Sequence, residues 1–231
     1  MELDVTRSTT SRVRIGMNNN FHEPRSIRSN TPDLIDPAAW WRTPCPVHGS
    51  AVVLCGDLPS NPLARIALLD QWEASGVGHI IDVRIERNDS STVRSTHPHL
   101  GYSWLGVDDD GGRQADEWFQ AGVDAALAAI ADSATKVLVH CHMGINRGPS
   151  MGFAILLATG WEPVAALEAI RAARPIAAVL YAEDALRWWH GVSNTPAEVA
   201  ARQRDEVADW FAANPIDAHW VISRIWRADC E

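Results

Sequence analysis

The sequence predicts an α/β fold: a central, mostly parallel sheet flanked by helices, with a C-terminal helical extension. Short apolar runs closed by glycine or polar residues alternate with longer segments of helical periodicity, the pattern of strand–helix–strand units. One helical segment, MGFAILLA, is apolar on every side and so belongs at the centre of the molecule. Two further segments after residue 192 carry apolar stripes suited to covering that core.

Residues 1–44 read as a flexible N-terminal arm. The first 38 are polar, with Asn18-Asn19-Asn20 and many Ser and Thr, and order is expected only near Trp40 and Trp41. A single domain over 45–191 follows. AVVLCGD (51–57) reads as a buried strand with a glycine stop, and PLARIALLDQWEAS (62–75) as a helix closed by Gly76. GHIIDVRI (78–85) is a second strand, 86–100 a loop rich in Asn, Asp, Ser and Thr, and GYSWLGV (101–107) a third strand running into DDDGG. From Asp116 to Ala131, Trp118, Phe119, Val123, Leu127 and Ile130 share one helical side. KVLVH from Lys136 is the fourth strand, and Pro149 fits the first turn of the apolar helix, where a missing N–H costs nothing. Helices at 162–173 and 181–190 complete the domain. The extension, 192–231, opens on the start signal Asn194-Thr195-Pro196. It groups Val199, Val207, Trp210 and Phe211 in one helix and Trp220, Val221, Ile225 and Trp226 in another, read as two helices packed on the domain.

Hydrophobic content of 46% and charged content of 21% are ordinary for a globular protein, and the net charge of −9 argues against nucleic-acid partners. No run of 18 apolar residues occurs, so no membrane partner is expected. Cys45, Cys55, Cys141 and Cys230 show no disulfide spacing, and MELDVTRSTTSRVRIG has no apolar leader core, so reduced thiols in a cytoplasm are the expectation. Oligomeric state leaves no mark.

The chemistry concentrates in VLVHCHMGINRGPS (137–150). Cys-x5-Arg by itself is weak, but here an apolar strand ends at His140, Gly144 sits mid-loop and a proline-started helix follows. A tight loop between strand and helix turns successive N–H groups inward and adds the positive end of the helix, making an anion cradle. The same field stabilises a thiolate at Cys141, the form of cysteine that is nucleophilic. Arg147 offers a planar fork suited to two phosphoryl oxygens. His140 is expected to order the loop by hydrogen bonding and His142 to rim the pocket, since strand side chains alternate. A metal reading of Cys45, His48, His140, Cys141 and His142 lacks the second ligand pair that zinc requires, so no metal is expected.

HCHMGINR matches His-Cys-x-x-Gly-x-x-Arg, and by it the chain resembles the dual-specificity branch of the cysteine-based protein tyrosine phosphatases. The likeness extends over about residues 50–190. AVVLCGDLP looks like that family's first strand, LLDQWEASGVGHIIDVR like its following helix and strand, and GWEPVAALEAIRAARPIA like the helix and Arg-Pro turn behind the central helix. The resemblance implies a cysteine phosphatase-like sheet and hydrolysis of phosphate monoesters on phosphotyrosine, phosphoserine or phosphothreonine proteins. It implies a phosphocysteine intermediate without cofactor, with Cys141 as nucleophile, Arg147 as phosphate clamp, and His142, Met143, Gly144, Ile145, Asn146 and Gly148 around the substrate. A general acid is implied on the loop ahead of an aromatic pair. With Trp118-Phe119 as that pair, the offset falls on Asp109, flanked by Asp108 and Asp110; crowding of like charges favours a protonated member. None of positions 142, 143, 145 and 146 is lysine, which favours phosphoproteins over polyphosphorylated lipids. The alternatives are an RNA 5′-triphosphatase-like enzyme, which GINRG also resembles, a sulfurtransferase built on a cysteine loop, and a non-catalytic phospho-group reader. One residue departs from the pattern. The family's Ser or Thr after the arginine assists phosphocysteine breakdown, and Gly148 cannot; Ser150 should face elsewhere.

Overall fold

The apolar runs become strands because a sheet covered on both faces can bury every side chain they carry. The strands are β1 (Cys45–Pro46), β2 (Val52–Cys55), β3 (Val77–Arg84), β4 (Gly101–Val107) and β5 (Lys136–His140), in the sheet order β1-β2-β5-β3-β4. Pairs β2–β5, β5–β3 and β3–β4 are parallel, while two-residue β1 runs antiparallel to β2. The structure is a computed structural model and describes residues 40–133 and 135–229. The arm up to residue 39, and Cys230, lie outside the described residues.

The helices are α1 (Pro62–Ala74), α2 (Ser90–Thr96), α3 (Asp116–Ser133), α4 (Arg147–Ala158), α5 (Pro163–Ala173), α6 (Ala182–Val192), α7 (Ala197–Ala213) and α8 (Ala218–Asp229). Strand side chains alternate between two cores. Val52, Leu54, Ile81, Val83, Val137 and Val139 meet residues of α3 to α6, whereas Val53, Cys55, Ile80 and Leu138 meet Leu68, Leu69 and Trp72 of α1. Helix α4 is buried from Arg147 through Leu157. Its opening Gly148-Pro149 is poor helix material, costing about 1 kcal/mol for the glycine. Burial of Met151, Phe153, Ile155, Leu156 and Leu157, at roughly 1.5–3 kcal/mol each, outweighs that several-fold.

Two elements depart from the sequence reading. The segment 86–100, expected as a loop, holds α2. Its Ser and Thr are weak helix formers, and what fixes it is tertiary: Val93 is buried in the α1-side core, and Asp89 N–H donates to Tyr102 Oη at 3.0 Å. Strand β1, too short to show a period, pairs Cys45 with Leu54. In the extension, α7 sinks Val207 and Trp210 into the main core. Helix α8 sets Val221 and Ile225 against Trp41, Ile145, Ile176 and Ala178. Trp220 and Trp226, expected to pack with them, are instead 44% and 58% exposed. No helix among the described residues is long and apolar enough to cross a membrane.

Candidate active site

Cys141 follows the last residue of β5, and the loops after β2, β3 and β4 bring Asp57, Glu86 and Asp109 to the same edge. Ligand sites of parallel sheets form at these carboxyl ends. The loop 142–146 turns its carbonyls outward, and every one is taken. His142 O accepts from Asp57 N and Trp41 Nε1, Met143 O and Gly144 O from Arg174, Ile145 O from Ala178 N, and Asn146 O from Ser150 N. A trans peptide sets each N–H opposite the preceding C=O, so the N–H groups of 143–147 face the other way, into the cradle, and among the described residues no acceptor meets them. Gly144 makes this path possible. Its φ is +66°, and a Cβ there would stand 2.3 Å from Arg174 Nη2 and 2.6 Å from Cys55 O.

Arg147 is buried under the loop, and its donors can be counted. Glu86 takes the guanidinium end-on, Nη2 to Oε1 at 2.6 Å and Nη1 to Oε2 at 2.9 Å, and Val107 O takes the other Nη1 proton at 2.9 Å. Of the five N–H donors this leaves Nε–H and one on Nη2, the adjacent pair that forms the side-on fork. Nε lies 3.3 Å from Asp109 Oδ2 without the alignment of a hydrogen bond. Burial works against the Arg147 charge, but Glu86, Cys141 and Asp109 outweigh it and hold the guanidinium firmly protonated. Glu86 was not singled out in the sequence. It lies just past β3, 61 residues from its partner, and only the Glu ending an apolar strand hinted at it.

Of the three aspartates, Asp109 alone has its carboxylate in hydrogen bonds with the loop side of the site: Asn146 Nδ2 donates to Oδ1 at 2.6 Å and Tyr181 Oη at 2.9 Å. Asp110 is spent on its own turn, its Oδ1 accepting from Gly112 N at 2.8 Å, and Asp108 offers its carbonyl to Gln114. The aromatic pair anchors the helix behind them, with Trp118 Nε1 donating to Leu105 O at 2.8 Å. Asn146, grouped with substrate-facing residues in the sequence, turns its side chain to Asp109.

His140 is fully buried beside Trp72, and burial pushes its imidazole below the ordinary value. Neither ring nitrogen has a hydrogen-bond partner among the described residues; Nε2 stands 3.7 Å from Asp82 Oδ1. His142 is at the rim, a third exposed, with Nδ1 3.2 Å from Asp57 Oδ2. Beneath them lies an ionic cluster that sequence reasoning missed. Buried Arg84 donates to Asp82 (2.9 and 2.6 Å), to Asp89 (2.6 Å) and to Asp57, and Tyr102 Oη donates to Asp82. Burial raises the Asp82 carboxyl, but His140 and Arg84 pull harder and leave it below the usual range; for Asp57, His142 and Arg84 do the same. Met143 and Ile145 face the α8 cluster, away from the cradle, while Gly148 lies against the backbone of Cys141 and His140.

No protein-family profile matches the chain. Dual specificity protein phosphatase 5 of Homo sapiens is 36% identical over 68 residues, 29% of this chain; the match spans 17% of that protein's length. Among solved structures, human DUSP28 superposes with a TM-score of 0.52 at 18% identity, covering 65% of this chain and 95% of that one. A mouse putative dual specificity phosphatase, complexed with zinc tungstate, gives 0.53 at 16% identity, covering 71% and 93%. The chain therefore has the α/β fold of the cysteine-dependent phosphatases, with a helical extension at its C-terminus.

Proposed function

We propose that this protein hydrolyses phosphate monoesters through a phosphocysteine formed at Cys141. The observation that carries the reading is the loop whose carbonyls are all satisfied outside it, leaving inward N–H groups and the Nε/Nη2 edge of Arg147 unspent around one cysteine. Such an array binds the three equatorial oxygens of a phosphoryl group more strongly as charge develops on them. The Cys141 sulfur attacks phosphorus and the ester P–O bond breaks, the leaving oxygen taking a proton from Asp109. Water then attacks phosphorus, the S–P bond breaks to return the thiolate, and the water's proton goes to Asp109. Phosphoproteins are the substrate class: the 68-residue likeness is to a protein phosphatase, and the loop brings no lysine for additional phosphates.

The test is hydrolysis of an aryl phosphate beside phosphopeptides, inositol phosphates and 5′-triphosphate RNA. Cys141→Ser should lose all turnover yet still bind inorganic phosphate. Asp109→Asn should lose roughly 10²-fold or more on unactivated esters and far less on nitrophenyl phosphate. Preference for triphosphate-ended RNA that survives Asp109→Asn would instead favour the RNA 5′-triphosphatase reading. Phosphate binding by wild type with no turnover of any ester would favour a phospho-group reader.

A further inference from the structure

The catalytic steps above make no use of Tyr181 or Ser150, yet both are tied to the acid. Tyr181 Oη and Asn146 Nδ2 donate to the same oxygen, Asp109 Oδ1, at 2.9 and 2.6 Å. The two donors are themselves joined. Tyr181 N–H donates to Ser150 Oγ at 3.2 Å, and Ser150 Oγ donates to Asn146 Oδ1 at 3.2 Å. Leu180 N–H also donates to Asn146 Oδ1, at 2.7 Å. With its oxygen accepting twice, the Asn146 amide can face only one way, Nδ2 toward Asp109.

We propose that Tyr181 and Asn146 clamp Oδ1 of Asp109 and thereby assign the transferable proton to Oδ2; both are positioning residues, and the inference rests on the phosphatase reading. An oxygen already accepting two hydrogen bonds can take a proton only by giving one of them up. Among the described residues Oδ2 carries no such bond, and it lies 3.3 Å from Arg147 Nε, next to where the phosphoryl group and its leaving oxygen would sit. Tyr181 stays a donor throughout, because burial and the Asp109 carboxylate push its hydroxyl above the ordinary value. In the second step the clamp holds Oδ2 ready to receive the proton of the attacking water.

The experiment measures turnover of aryl phosphates from nitrophenyl to phenyl by wild type, Tyr181→Phe, Asp109→Asn and the double variant, with inhibition by inorganic phosphate alongside. The Phe ring keeps the packing and removes only the donor. Tyr181→Phe should show a loss that grows with the leaving group's basicity, from about 2-fold to about 10-fold or more, with phosphate inhibition within about 2-fold of wild type. In the Asp109→Asn background it should add no further dependence on the leaving group. Ser150→Ala, which unties Asn146 from Tyr181, should move the slope the same way by less, and serves if the Phe variant does not fold. A loss equal for all leaving groups, or an unchanged slope, overturns the clamp. Wild type that turns over no ester overturns the phosphatase reading and the clamp with it, a failure visible before any variant is compared.

Discussion

Gly148 offers the loop no hydroxyl, and the hydroxyl of Ser150 is engaged elsewhere, its Oγ bonded to Asn146 and Tyr181. A Cβ at 148 would stand 3.2 Å from Cys141 N and 3.3 Å from His140 C, both backbone atoms that must yield a few tenths of an ångström. Two effects of Gly148→Ser are thus opposed, a hydroxyl gained and a loop displaced. Rapid-quench kinetics on a nitrophenyl ester should show a burst of phenol release in wild type that shrinks in Gly148→Ser. Gly148→Ala carries the same crowding without the hydroxyl, so it should lose stability and keep the burst; a burst absent from wild type would show that breakdown is not slow. At this scale the sequence was highly legible. Cys141, Gly144 and Arg147 fall within one short strand–loop–helix segment, and that local pattern carries the geometry that their spacing alone does not. Glu86 and Tyr181 were not, because what they do depends on partners 61 and 72 residues away.

Strand β3 shows why a strand that reads as apolar can be a functional element. Asp82 and Arg84 are two apart, hence on one face, and register places Asp82 directly beside His140 of β5. Two opposite charges at that spacing in a buried run were the available signal for the cluster. Both Asp57 and Asp82 are held below the ordinary carboxyl range in the folded chain. Their contribution to stability is therefore complete above the unfolded value, about 3.9, and is lost as pH falls through the lower folded values. Urea unfolding between pH 7 and pH 3 should show a steep acid limb in wild type. Asp82→Asn should flatten it and lower stability at pH 7 by about 1–3 kcal/mol. An unaltered acid limb in that variant would place the acid sensitivity elsewhere. Helix α2 was hidden for the opposite reason: its local composition opposes a helix, and tertiary contacts of Val93, Asp89 and His97 hold it.

Across the whole molecule, the extension does more than cover the core. Helix α8 and the chain near Trp41 meet at Ile145, a residue of the candidate catalytic loop, with Met143 packed alongside. The helices themselves could be read from their periodicity, but which face meets what could not, because no local pattern records a contact across some 80 positions. Ile225→Ala should cost about 2–4 kcal/mol in denaturant unfolding and also weaken inorganic phosphate binding. Unchanged phosphate affinity at reduced stability would make α8 a cover only.

Arg174 draws these levels together. Its guanidinium is fully buried and bonds to Gly144 O, Met143 O, Trp40 O, Trp41 O and Thr43 O, yet no carboxylate among the described residues pairs with it. Carbonyl dipoles orient such a charge without neutralising it. Behind the cradle, then, stands a fixed cation for which no carboxylate among the described residues serves as counter-ion. On the phosphatase reading, a phosphoryl dianion in the cradle would sit in the field of that cation, so occupancy of the cradle would be linked to the charge buried behind it.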